Sequence, residues 1–164
     1  MIRAAILTVS DSCALGKRED ISGQAIEDML PRDKFQICEK RIVPDDRDAI
    51  ANELVYFCDG AGFDLVFTAG GTGLGPRDVT PEATISVCER IVPGLGEVMR
   101  AQGFLNPKSE IRNPKSILSR GMAGIRKNTL VINLPGSPKA VRECLELIVD
   151  VLPHAVEMML GGGH

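Results

Sequence analysis

Asp78 and the glycines before it are the residues of this chain best suited to chemistry. Residues 64–83 read D-L-V-F-T-A-G-G-T-G-L-G-P-R-D-V-T-P-E-A, and four of the six residues from Gly70 to Gly75 lack a Cβ. Such a loop can approach a ligand closely and aim main-chain N–H groups at it. Asp78 follows, and Thr80-Pro81-Glu82 has the pattern of a helix start, with Thr80 as N-cap and Pro81 at the first helical position. Glycine loop, carboxylate and helix N-terminus in that order suit a phosphate held with magnesium. A plain strand-to-helix turn uses the same residue types. The loop is not a Walker A motif, because it ends in Gly75-Pro76-Arg77 with no lysine. It departs from a Rossmann fingerprint as well, with Pro76 where a third glycine belongs and a position near mid-chain.

The elements that must hold this loop are legible in the hydrophobic pattern. Leu65 to Ala69 is short, apolar and rich in β-branched or aromatic residues, as a buried strand is. Ile6 to Val9 reads as the first strand and Phe35 to Val43 as another. Between them Ser22 looks like the N-cap of a helix through Leu30, ended by Pro31. A helix over 46–58 places Ile50, Leu54, Phe57 and Cys58 on one face. Pro81 to about Arg90 is helical, Pro93-Gly94 breaks the pattern, and a short helix is expected around Gly96 to Gln102. Residues 125–134 suggest a hairpin turning at Arg126-Lys127-Asn128. Ser137 is an N-cap before Pro138, opening a helix from Lys139 to about Val151, and a last helix follows Pro153. Strand–helix alternation of this kind predicts an α/β fold of three layers: a mostly parallel central sheet, with a β-hairpin, covered by helices on both faces. Ligands of such sheets bind at the carboxyl ends of the strands. Four loops fall there: Ser10-Asp11-Ser12, Pro44-Asp45-Asp46, Gly70 to Asp78, and Pro135-Gly136-Ser137.

The 164 residues suit one domain, taken as 1–164. The net charge of −3 argues against a nucleic-acid partner, which would call for a basic surplus, so any anionic ligand must be held by local donors. Five scattered cysteines with no C-x-x-C pair fit neither a disulfide framework nor a zinc site and suit a reducing cytoplasm. With two histidines, one of them the last residue, a Ser-His-Asp triad is not expected. No apolar run approaches the ~20 residues that cross a bilayer, and the apolar N-terminus is read as a strand rather than a signal sequence. The stretch from Phe104 to Arg120 carries Asn-Pro-Lys-Ser twice, at Asn106 and Asn113. It is either a mildly basic loop or a lid reaching an anionic substrate.

Several of these segments together resemble the molybdopterin adenylyltransferase family, which includes the bacterial Mog proteins and the G domains of gephyrin and its plant counterpart. The residues that carry the likeness are Thr8-Val9-Ser10-Asp11, Pro44-Asp45, Thr68-Ala69-Gly70-Gly71-Thr72-Gly73, Arg77-Asp78-Val79-Thr80-Pro81-Glu82-Ala83, Leu118-Ser119-Arg120, Gly124-Ile125-Arg126 and Asn133-Leu134-Pro135-Gly136-Ser137. It extends from about residue 4 to residue 160. One departure stands out: the stretch between Arg100 and Ser119 is longer here than in the family pattern.

The resemblance implies a Mog-like molybdopterin-binding fold and a nucleotidyltransferase that converts ATP and molybdopterin to adenylyl-molybdopterin and pyrophosphate, with Mg2+. It implies a homotrimer, a late step of molybdenum cofactor assembly in the cytoplasm, and hand-over to a molybdate-inserting protein. The alternative is a non-catalytic binding or scaffold member of the same superfamily. On the catalytic reading, Asp45 and Asp78 are the metal ligands. Gly70, Gly71, Thr72 and Gly73 cradle the nucleotide phosphates, while Ser10, Asp11, Pro135, Gly136 and Ser137 complete the adenylate pocket. Ser119 and Arg120, with Arg77, are the candidates for molybdopterin. The nucleophile, a phosphate, is already an anion, so no general base is required.

Overall fold

A computed structural model describes residues 1–105 and 114–162. Its centre is a six-stranded sheet in the order β2-β1-β3-β6-β5-β4. The strands are β1 (Ile2–Val9), β2 (Phe35–Val43), β3 (Leu65–Ala69), β4 (Arg90–Ile91), β5 (Ala123–Arg126) and β6 (Thr129–Leu134). β1 pairs in parallel with β2 and β3, and β3 in parallel with β6. β5 is antiparallel to both β6 and β4, so it is the strand that reverses direction. The expected hairpin is β5–β6, and Lys127 at its turn takes φ 50°. The parallel strands β1, β3 and β6 alternate two apolar faces, as strands buried on both sides must.

Helices cover both faces. Ala4, Ile6, Leu65, Phe67, Leu130 and Ile132 pack against α2 (Ile21–Met29), α5 (Pro93–Leu105), α6 (Pro138–Ile148) and α7 (Leu152–Met159). Ala5, Leu7, Val66 and Val131 pack against α3 (Arg47–Val55) and α4 (Thr80–Val87). A short helix, α1 (Asp11–Ala14), is a single turn directly after β1, capped by Ser10. A wide turn, Tyr56–Gly60, extends α3 and buries Phe57 and Cys58, as the 46–58 periodicity requires.

Three local expectations shift. α2 is capped by Asp20, whose Oδ1 accepts from Gly23 N at 2.7 Å, and not by Ser22. The Ser22 hydroxyl is taken by the carbonyl of Gly136 at 2.6 Å, which ties α2 to the loop after β6. Thr80 lies inside α4 and is fully buried; Val79 precedes the helix without a side-chain cap, and the Thr80 hydroxyl donates to Gly70 O at 2.9 Å. Pro93 starts α5 and does not break it, because a missing N–H costs nothing in a first helical turn. The helices of residues 139–151 and after Pro153 run as α6 and α7, joined by one tight turn at Val149–Val151. Residues 106–113, part of the expected lid, lie outside the described residues, as do residues 163–164.

Candidate active site

The chain leaves β1, builds β2 on one side, and returns to place β3 on the other. The carboxyl ends of β1 and β3 therefore diverge into a crevice, the place where open α/β sheets bind ligands. A cleft of about 500 Å³ opens there. All four rim loops reach it: Ser10 after β1, Asp45 after β2, Gly70, Gly71 and Asp78 after β3, and Gly136 and Ser137 after β6. The start of α2 supplies a further wall with Asp20 and Ser22, and the Ser137 cap accepts from Ala140 N at 3.1 Å at the start of α6.

The glycines are required by space. Gly70 has φ 105°, and a Cβ there would fall 2.3 Å from the Val9 carbonyl. Gly71 has φ 67°, and a Cβ would lie 2.3 Å from Thr80 Oγ1 and 3.3 Å from Asp45 Oδ1. The loop thus folds tightly over the end of β1 and brings the Asp45 carboxylate against main chain. Asp78 turns back on its own loop, its Oδ2 accepting from Gly75 N at 2.8 Å.

Asp45 and Asp11 are locked to each other. Asp11 N donates to Asp45 Oδ2 at 2.9 Å, and Asp45 N donates to Asp11 Oδ1 at 3.0 Å. Arg77 closes the group with a forked pair to Asp11, Nε at 2.7 Å and Nη2 at 2.9 Å. Those bonds from Arg77 hold the Asp11 carboxyl below the usual carboxylate range. Asp45 moves the other way: burial raises it first, and the charges of Asp11 and Asp78 add to the effect. Asp45 and Asp78 thus bring two carboxylates to one cleft, with Arg77 offsetting only part of the repulsion at Asp45, an environment a cation relieves. Among the described residues no three acidic, histidine or cysteine side chains group as a complete metal cage. Two carboxylates without a cage suit Mg2+, which takes few protein ligands and completes its shell with phosphate oxygens and water.

A second, smaller cavity of about 140 Å³ lies beyond Pro135, walled by Arg100, Lys115, Ser116, Ser119, Gly121 and Asn133 among others. Of the residues expected to meet molybdopterin, Ser119 lines this cavity. Arg120 lies between the two hollows: its Nε donates to Gly73 O at 2.8 Å, its Nη2 to Asp78 O at 2.5 Å, and its fork pairs with Glu82. Arg77 pairs with Asp11, and neither is among the residues that line the two hollows. Thr72 O accepts from Arg120 N at 2.8 Å.

Beneath the glycine loop runs a buried polar chain that sequence reasoning did not single out. Asn133 Nδ2 donates to Thr68 Oγ1 at 3.0 Å and to Thr84 Oγ1 at 2.9 Å; Thr84 in turn bonds Thr80 O at 2.9 Å. Asp20, also missed, accepts from Thr8 Oγ1 at 2.7 Å. The available signal was polarity inside strands: Thr8, Thr68 and Asn133 interrupt runs that are otherwise apolar. Burial pushes the thiols of Cys58 and Cys144 up to about 12 and that of Cys88 to about 11, away from a reactive thiolate. Cys13 lines the cleft, its Sγ donating to Glu19 O at 3.7 Å.

Residues 5–154 match the family described as a probable molybdopterin binding domain. The chain is 44% identical over 162 residues to a molybdopterin adenylyltransferase of Helicobacter pylori, covering 98% of this chain and 89% of that protein. To the molybdopterin adenylyltransferase of Escherichia coli K12 it is 38% identical, over 91% of this chain and 74% of that one. The crystal structure of the molybdopterin biosynthesis enzyme MoaB from Thermus thermophilus superposes with a TM-score of 0.89 at 45% identity, covering 98% of each chain.

Proposed function

The chain belongs to the molybdopterin-binding family of molybdenum cofactor biosynthesis, and we propose that it is a molybdopterin adenylyltransferase, joining AMP from ATP to molybdopterin with release of pyrophosphate. The observation that carries this reading is the meeting of Asp45 and Asp78 with the Gly70–Gly71 turn in one cleft, beside a second cavity that reaches Ser119. The cleft takes the nucleotide and the second cavity the acceptor.

In the reaction an oxygen of the molybdopterin phosphate attacks the α-phosphorus of ATP. A new P–O bond forms, the bond from the α-phosphorus to the bridging oxygen breaks, and pyrophosphate leaves with that electron pair. The acceptor is already ionised, so no side chain has to remove a proton. The barrier is the approach of two anions, and it is lowered by holding them in line and neutralising charge. Mg2+ bound with ATP supplies that neutralisation. Asp45 and Asp78 would hold the metal–nucleotide, Gly70, Gly71, Thr72 and Gly73 would let the phosphates approach main chain, and Ser10, Gly136 and Ser137 would bound the rest of the pocket. Asp11 keeps Asp45 oriented through their reciprocal hydrogen bonds. Family likeness further supports a homotrimer acting in the cytoplasm and passing its product to a molybdate-inserting protein.

Pyrophosphate release measured with ATP, Mg2+ and molybdopterin, each omitted in turn, tests the assignment. Release is expected only with all three. Tight Mg–ATP binding with no release on adding molybdopterin would leave a nucleotide-binding module and remove the transferase.

A further inference from the structure

Arg120 is a junction whose donors are committed to the protein. Its main-chain N–H binds Thr72 O at 2.8 Å. Its side chain reaches Gly73 O, Asp78 O and the Glu82 carboxylate on the first turn of α4. Its neighbours Ser119 and Gly121 wall the second cavity. That wall is itself braced, because Arg100 Nη1 donates to Gly121 O at 2.7 Å and Ser116 Oγ donates to Arg100 O at 2.8 Å. Hydrogen bonds on either side of the Arg120–Gly121 main chain therefore link the cavity wall to the carbonyl of Asp78, a residue that lines the nucleotide cleft. The planar fork matters here, since one guanidinium meets two carbonyls and a carboxylate that a lysine could not bind together. Glu82 is the member that orients it: the pair is half-exposed, with side-chain exposures of 36% and 45%, and without the carboxylate the guanidinium is free to leave the loop for water.

We propose that Arg120 and Glu82 are a positioning pair that sets Asp78 from the acceptor side of the site, so that the metal–nucleotide is held correctly only when the wall of the second cavity is in place. The proposal rests on the adenylyl-transfer reading above. Neither residue touches the reacting atoms; both act through Asp78.

The test uses the full chain and Mg–ATP without molybdopterin, followed by calorimetry, in the native protein, Glu82→Gln, Asp78→Asn and the double variant. Glu82→Gln is expected to weaken ATP about ten-fold with Mg2+ present, the scale of lost partners behind a metal ligand, and to leave metal-free ATP affinity unchanged. The double variant is expected to bind no more weakly than Asp78→Asn alone, because residues acting through one group are not additive. Arg120→Lys, which keeps the charge and loses the fork, should reproduce Glu82→Gln and serves if that variant folds poorly. With molybdopterin added, both should lower kcat more than they raise the KM for ATP. Equal losses with and without Mg2+, full additivity, or unchanged binding in Glu82→Gln and Arg120→Lys would overturn the proposal while the native enzyme still transfers AMP. A native chain that binds no Mg–ATP would overturn the transferase reading, and this proposal with it.

Discussion

Asp45 carries two opposed consequences of one environment. Burial and the neighbouring charges of Asp11 and Asp78 raise it, so its charged form is disfavoured in the ligand-free fold. A carboxyl raised on folding opposes stability wherever the unfolded chain would be ionised and the folded one is penalised for it. Asp45→Asn should therefore raise the thermal midpoint of the ligand-free protein at neutral pH, keep its bond from Asp11 N, and lose most Mg–ATP affinity. Scanning calorimetry with and without Mg–ATP reads both signs; a lowered midpoint would show that Asp45 is there for the fold. Asp78→Asn should fold normally and lose most turnover, and near-native pyrophosphate release would remove it as a metal ligand.

At the scale of elements, the loops are held by tertiary bonds that fix them to the strand ends. Gly70→Ala puts a methyl 2.3 Å from Val9 O at φ 105°. It should cost at least about 1–3 kcal/mol from backbone strain alone, read as a lower urea midpoint, and narrow the cleft at the same time. Far from the cleft, Arg126 of the hairpin binds Asp59 of the turn after α3 at 2.5 and 3.0 Å, and Val87 O at 2.9 Å. Hydrogen bonds from Arg126, then Lys127, lower the Asp59 carboxyl. A lowered carboxylate stabilises the fold above its unfolded value of about 3.9 and loses that contribution as pH falls through the folded value. Asp59→Asn should thus destabilise at pH 7 and converge with the native protein in acid, below that window. Parallel stability curves at all pH values would assign the bridge no net role. Here the sequence was less informative: Arg126 reads as a surface charge, because its partner lies 67 positions away.

Across the whole molecule, β6 joins the parallel half of the sheet to its reversing half. Asn133 sits at that seam, bonding Thr68 of β3, Thr84 of α4, and the main chain at Met122, whose N–H lies 3.3 Å from Asn133 Oδ1. It is nearly inaccessible at 1% exposure. Asn133→Ala leaves the Thr68 hydroxyl without that donor inside the fold and should cost about 1–3 kcal/mol. Urea unfolding should show a lower midpoint with the slope unchanged, since the surface exposed on unfolding hardly changes. A changed slope would mean that the seam separates two independently unfolding parts. An unpaired polar group in this position is costly because both faces of the strand are packed.

What the sequence determined by itself is what local chemistry determines. Period-two and 3.6-residue patterns placed nearly every strand and helix, the glycine run marked the tight loop, and strand–helix alternation put four loops on one rim. Ser137 capped its helix as its type and the following Pro138 required. What only the tertiary structure decided is which donors meet which acceptors once several residues compete. Asp20 displaced Ser22 as a cap because Gly136 O takes the Ser22 hydroxyl. Thr80 was drawn inside α4 to satisfy Gly70 O, and the side chain of Arg120 was brought to Gly73 O, Asp78 O and Glu82. The physical reason is that hydrogen bonds in a packed interior are assigned among all neighbours at once, and neighbours 40 or 100 positions apart are visible only after the sheet has brought them together.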